Sequence, residues 1–257
     1  IQISFIAVDE AHCISEWGQD FRPSYQNIKN FRTLFKNVPC LALTATATPK
    51  VLEDIKLKLG FTQYQIFRKS FKRENISIFI DEIADKYQRV LDLLKHNQNS
   101  GIIYTRTRKE AENLTEFLQK NKLKNVDFFH AGLSVKEKHQ KQEKWLKSNQ
   151  NILISTNAFG MGIDKENVRF VIHLSPAPSL ENFYQEIGRA GRDGEKSYAF
   201  LLWNEQELLN LDDVFYNQTP SKSEFLKVIS YLYSTFMIAE NELPENIFEL
   251  NISKIQN

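Results

Sequence analysis

Cysteine is scarce: Cys13 and Cys40 are the only two in 257 residues. Two thiols exclude a disulfide framework and a cysteine-rich zinc site, and they fit a reducing, cytoplasmic setting. Long apolar runs are absent too. None approaches the length that crosses a bilayer, and the opening Ile1-Gln2-Ile3-Ser4 has no signal-peptide shape, so no membrane partner is expected. There is no low-complexity tract, and 42% hydrophobic with 25% charged residues is the balance of a globular chain. The first residue is not Met and lies inside an apolar run, so the chain reads as a fragment. Its length suits two compact units plus an appendage.

A dominant charge is also missing, since the formal net charge is +1. The distribution is less even. Residues 101–150 hold eleven Lys/Arg against six Asp/Glu, and residues 205–257 hold three against nine. A phosphate-binding surface on one lobe is one reading. Solvated helix faces are the other.

Short apolar runs alternate with helical patterns. Strands are expected near residues 3–8, 39–44, 76–80, 101–105, 126–130, 152–156, 168–174 and 198–203. Several are apolar throughout, as strands covered on both faces are. Thr107/Glu110, Ser134/Glu137 and Ser221/Glu224 each fit a capping box, and residues 49–59 read as a helix with Pro49 in its first turn. Alternating strands and helices predict an α/β fold with parallel sheets. A linker is expected around residues 71–75. Residues 221–236 form an amphipathic helix with Phe225, Ile229, Leu232 and Phe236 on one stripe.

Two clusters suggest chemistry. The run Phe5-Ile6-Ala7-Val8 ends in Asp9, Glu10 and then His12. The carboxyl end of a parallel strand is where α/β proteins bind ligands. One carboxylate there can hold Mg²⁺ through its waters, and the next can polarise a water that attacks a phosphoryl group. A solvated turn is the alternative. The loop that follows carries Trp17, Phe21 and Arg22. It is either a local core plug or a platform for unpaired bases, with Arg22 near a phosphate. Farther on, Gln185, Arg189 and Arg192 follow a helical pattern over Leu180–Ile187, with glycines at 188 and 191. Planar guanidinium groups on such a turn suit a phosphate in its transition state.

Together these residues resemble the RecQ family of superfamily-two helicases. Asp9-Glu10-Ala11-His12 with the segment Cys13 to Pro23 is similar to the family's Walker B box and aromatic-rich loop. Ala42 to Thr48 resembles the third motif, Gly101 to Thr105 with Arg108 the fourth, and His130-Ala131-Gly132-Leu133 a DNA-contacting turn. Ser155 to Lys165 resembles the fifth motif and Gln185 to Gly194 the sixth. The resemblance implies two RecA-like lobes, the first truncated, at residues 1–72 and 73–204, and a small, mostly helical, acidic tail at 205–257. It implies an ATP-dependent DNA helicase that moves 3′ to 5′ on single-stranded DNA and unwinds duplexes in repair or recombination, cytoplasmic and, in a bacterium, associated with the nucleoid. Its cofactors would be ATP and Mg²⁺. Asp9 (through water to Mg²⁺), Glu10, Gln185, Arg189 and Arg192 would be catalytic, with Arg192 the leading arginine finger. His12, Thr44 and Thr46 would couple the sites. Gly162 and Asp164 would join the two arginines at the nucleotide, and Trp17, Phe21, Arg22, Thr105, Arg108, His130, Thr156 and Ala158 would meet DNA.

Three departures qualify this. No Gly-Lys-Ser or Gly-Lys-Thr occurs, so the phosphate-cradling loop is missing from these residues. The tail has no cysteine, so the zinc module of many RecQ proteins is not expected. Glu74 stands where the family commonly has proline, which would loosen the linker. An inactive motor kept as a DNA- or partner-binding module is the alternative reading, and protein partners stay unspecified.

Overall fold

The computed structural model describes residues 3–16, 21–35, 37–70, 72–95, 99–157, 159, 164–205, 207 and 221–236. It contains two parallel sheets. In the first, β1 (Ile6–Val8) pairs with β2 (Cys40–Ala42), with Val8 beside Ala42. The helix α1 (Ile28–Thr33) precedes β2 and α2 (Pro49–Leu59) follows it. Thr48 caps α2 by accepting from the Val51 amide, and Gly60 ends it in the left-handed region, where a Cβ would be strained. Val51, Ile55 and Leu59 recur on one face of α2 and pack on Ile6, Val8, Ala11 and Ile14.

The second sheet has six strands in the order β3-β8-β7-β4-β6-β5. They are β3 (Ile76–Glu82), β4 (Gly101–Tyr104), β5 (Val126–Phe129), β6 (Ile152–Ser155), β7 (Phe170–His173) and β8 (Ser197–Trp203). The central strands β4, β6 and β7 are buried at every residue, so they are apolar without alternation. At Gly101 any Cβ would lie 2.1 Å from the Phe170 ring, and glycine therefore lets β4 and β7 pack. Three helices link these strands: α3 (Lys86–Lys95), α4 (Arg108–Lys120) and α5 (Val135–Lys147). Ser134 and Glu137 form the full capping box on α5. At α4 the box is shifted. Thr107 accepts from the Glu110 amide, but the Glu110 carboxylate accepts from the Arg106 amide. The last helix of this unit, α6 (Leu180–Ile187), runs into the Arg189–Arg192 turn.

At the expected linker, the residues on either side of Glu74 are hydrogen-bonded to the arginine turn. Arg73 Nη2 donates to Gly191 O at 2.7 Å, and Asn75 Nδ2 donates to Gly191 O at 2.8 Å and Glu195 O at 3.0 Å. Glu74 only points outward, near Lys72.

Residues 204–257 form a separate compact unit. Its described helix, α7 (Lys222–Phe236), starts with the expected box: Ser221 N–H meets Glu224, and the Glu224 amide meets Ser221 Oγ. Among the described residues, no helix is long and apolar enough to cross a membrane.

Candidate active site

Because β1 and β2 are parallel neighbours in register, their carboxyl ends coincide. Asp9 and Glu10 leave β1 where Leu43 and Thr44 leave β2. Leu43 N donates to Val8 O, and Ala11 N to Leu43 O, both at 2.9 Å. Glu10 sits in the left-handed region at φ 47°. Its amide donates to Asp9 Oδ1 at 2.8 Å, and Tyr25 Oη donates to Asp9 O at 3.3 Å. His12 is buried, with Nδ1 3.0 Å from Thr44 Oγ1 and 3.4 Å from Glu10 Oε2.

A chain of short contacts leads from here to the arginine turn. Thr46 N donates to Thr44 Oγ1 at 3.2 Å, and Gln185 Nε2 donates to Thr46 Oγ1 at 3.3 Å. Glu10, His12, Thr44, Thr46 and Gln185 are thus joined step by step across 175 positions of sequence. Glu10, residues 43–47, Asp164, Gln185, Arg189 and Arg192 line a cleft of about 1600 Å³. Arg192 Nη1 donates to Asp164 Oδ1 at 2.7 Å, so two of the expected nucleotide contacts meet each other.

The turn that carries both arginines is built on Gly191, at φ 57°. Behind it, Arg169 pairs with Asp193, and that guanidinium holds the Asp193 carboxyl below its ordinary range. Tyr104, buried at the end of β4, donates from Oη to Phe159 O at 3.2 Å and also hydrogen-bonds Arg189. Burial pushes its phenol well above the usual range. Its ring stacks on His173, whose Nε2 is 2.7 Å from Glu186 Oε2.

A second cluster brings together two expected residues, Arg108 and His130, at the turn of Gly132. Arg108 is exposed and His130 is buried. A Cβ on Gly132 would lie 2.9 Å from Arg108 Nη1 and 3.3 Å from His130 Nδ1. His130 Nε2 is 2.9 Å from Glu112 Oε1, while its Nδ1 is buried with no hydrogen-bond partner among the described residues. Thr105 and Thr156 are buried as well, and Thr105 Oγ1 donates to the carbonyls of Thr107 and Ser155. The basic residues of 101–150 are partly neutralised, Lys120 by Glu116, Lys141 by Asp127 and Lys147 by Glu143, as solvated helix faces are.

Phe21 and Arg22 are half-buried, and Arg22 N donates to Cys13 O at 2.8 Å. Trp17, Ala158 and Gly162 lie outside the described residues. Sequence reasoning missed Tyr25, Tyr104, His173, Glu186 and Lys165. The Lys165 ammonium donates to the carbonyls of Trp145, Leu146 and Ser148, closing the carboxyl end of α5 beside Asp164.

Residues 1–55 match the DEAD/DEAH box helicase family, and residues 85–194 match the helicase conserved C-terminal domain. The ATP-dependent DNA helicase RecQ of Bacillus subtilis is 41% identical over 81% of this chain and 36% of its own length. The probable ATP-dependent DNA helicase RecS of Bacillus subtilis is 35% identical over all of this chain and 52% of its own length. The chain therefore spans about a third to a half of these two relatives. In fold it is similar to S. cerevisiae Dbp5 bound to RNA and ADP BeF3, with a TM-score of 0.64, 22% identity, and coverage of 83% of this chain and 57% of that one. These matches, over the same residues that carry the paired carboxylates and the arginine turn, make the chain a RecQ-like member of the superfamily-two helicases.

Proposed function

We propose that this chain supplies most of the motor of an ATP-dependent DNA helicase, which moves 3′ to 5′ on single-stranded DNA and unwinds duplexes. The observation that carries the reading is the contact path from Glu10 through His12, Thr44 and Thr46 to Gln185. A module that only bound DNA would gain nothing from linking the Glu10 carboxylate to the helix that carries the arginine turn.

The donor set suits Mg²⁺, which takes one or two carboxylates and fills its remaining positions with water and phosphate oxygens. Asp9 would hold the ion through water, and the ion would neutralise charge on the phosphates. Glu10 lines the cleft with its side chain about half exposed (45%). It would orient the attacking water and take its proton. Arg192 and Arg189 would stabilise charge that develops on the transferred phosphoryl group. Arg192 must leave Asp164 to do so, and an ion pair this exposed contributes at most about 1 kcal/mol. The nucleotide can replace it at little cost. Gln185, hydrogen-bonded to Thr46, would report closure of the cleft to the carboxylates. Phe21, Arg22 and the Arg108–His130 cluster would hold the strand, its bases stacked and its phosphates paired.

The test uses the full-length protein. ATP turnover should rise with single-stranded DNA and not with RNA, and a 3′-tailed duplex should be separated where a 5′-tailed one is not. Glu10→Gln should abolish both activities. Turnover that ignores DNA, or strand separation that survives Glu10→Gln, would refute the proposal.

A further inference from the structure

Glu10 is one of two non-glycine residues with positive φ among the described residues. The other, Lys122, lies just past the end of α4, an ordinary place for a left-handed residue. Glu10 has no such excuse. It sits two residues after a strand end, at φ 47° and ψ 43°, and a side chain with a Cβ adopts that conformation only where its surroundings impose it. The imposing contacts can be counted off. The Glu10 carbonyl accepts from Cys13 N, and the next amide, Ala11 N, is bound by Leu43 O. That leaves the peptide between Asp9 and Glu10. Its N–H goes to the Asp9 carboxylate, and its C=O is met by the Tyr25 hydroxyl.

We propose that Tyr25 is a positioning residue for Glu10. Its hydroxyl fixes the plane of the Asp9–Glu10 peptide and so aims the Glu10 carboxylate into the cleft. Tyr25 itself does not line the cleft, so it acts through the backbone and not on the nucleotide. It is also well anchored. Its amide donates to Arg22 O at 2.9 Å, and Arg22 N donates to Cys13 O at 2.8 Å. Both ends of the aromatic-rich loop are therefore pinned next to the ring that holds Glu10. The Asp9 carboxylate has two claims on it, the Glu10 amide and the proposed metal water, and a peptide fixed by Tyr25 keeps its geometry when the carboxylate turns to the metal. The inference rests on the hydrolytic reading for its effect on rate, but its structural half does not.

Tyr25→Phe removes one oxygen and keeps the ring, and two measurements test it. In residues 1–257, hydrogen exchange at the Glu10 and Ala11 amides should be about two- to tenfold faster, the size of one neutral hydrogen bond, with the melting temperature and exchange in α2 unchanged. In the full-length protein, kcat for ATP should fall by about the same factor, with KM for ATP within about twofold. Unchanged exchange at those two amides overturns the proposal. So does faster exchange throughout α2 with a lower melting temperature, which is what a merely structural tyrosine would give. A KM rise at constant kcat would also overturn it, since that would mean a direct nucleotide contact. If wild-type protein hydrolyses no ATP, the motor reading fails, and the exchange result still decides whether Tyr25 holds this peptide.

Discussion

Gly191 and Gly194 flank the second arginine, and both have left-handed backbone, at φ 57° and 84°. Adding a methyl group to each separates conformational strain from crowding. At Gly194 a new Cβ meets nothing within 4 Å, so Gly194→Ala should cost only the strain of the left-handed region, about 1–2 kcal/mol. At Gly191 the same Cβ would lie 2.5 Å from Asn75 Nδ2, 2.6 Å from Ser197 Oγ and 2.8 Å from Glu195 O. None of these can yield cheaply. Asn75 is held by Gly191 O and Glu195 O, Ser197 Oγ is near Val168 O and Glu195 O, and the third atom is backbone. Overpacking of this kind adds about 1–3 kcal/mol, for a total of about 2–5 kcal/mol. In a chain this long, 1 kcal/mol moves the melting temperature by about 2–4 °C. Gly194→Ala should therefore lower it by about 2–8 °C and Gly191→Ala by about 4–20 °C, the second always more than the first. Thermal and urea denaturation of residues 1–257, followed by circular dichroism, measure both on the same footing. Equal losses would refute the reasoning, because they would mean that Asn75 and its partners do not fix this turn.

Other outcomes follow from the same geometry. In the full-length protein, Arg192→Ala should lower ATP turnover by about 10³-fold or more while changing nucleotide affinity little, because the guanidinium acts on charge present only in the transition state; normal turnover, or loss of affinity alone, would reduce Arg192 to a partner of Asp164. Residues 1–257 alone, lacking a phosphate-cradling loop, should hydrolyse no ATP above a Glu10→Gln control. The Asp193 carboxyl is held below its ordinary range by Arg169, so its pairing stabilises the fold at pH above the ordinary aspartate value and is lost as pH falls through the lowered one. Asp193→Asn should therefore flatten the acid limb of a stability profile below about pH 4, and an unaltered limb would show that the pair contributes nothing.

The strands were the most readable part of this fold, for a physical reason. Buried parallel strands need apolar residues on both faces, so β4, β6 and β7 are plain hydrophobic runs. Their ends were overestimated by one or two residues, as at residues 101–105 and 168–174, because β-branched or apolar residues such as Thr105, Val168 and Leu174 lie just outside the ladder. The helices α1 and α3 went unnoticed: α1 is only six residues long and has no side-chain cap, and α3 is capped by Asp85, whose carboxylate accepts from the Gln88 amide without the paired hydroxyl and carboxylate of a capping box. The site was half legible. Glu10, Gln185, Arg189 and Arg192 stand out because their residue types state their chemistry. Tyr25, Tyr104 and Lys165 do not, because each matters through a backbone carbonyl distant in sequence, and carbonyls leave no mark on a sequence. The pairing of Arg192 with Asp164 was equally invisible, since both were expected at the nucleotide and not at each other.

The pairing of β3 with β8 has a consequence for how the molecule assembles. Ile76 lies beside Ser197, so this edge closes a loop of more than a hundred residues, and such closure is entropically late because nothing rewards it until the intervening strands are in place. Asn75 and Arg73, which hold the arginine turn, enter with that edge. The turn is thus among the last features to be set on the folding path. During refolding, the strands between β3 and β8 should therefore be fixed before Arg192 is, an order that pulsed hydrogen exchange would read.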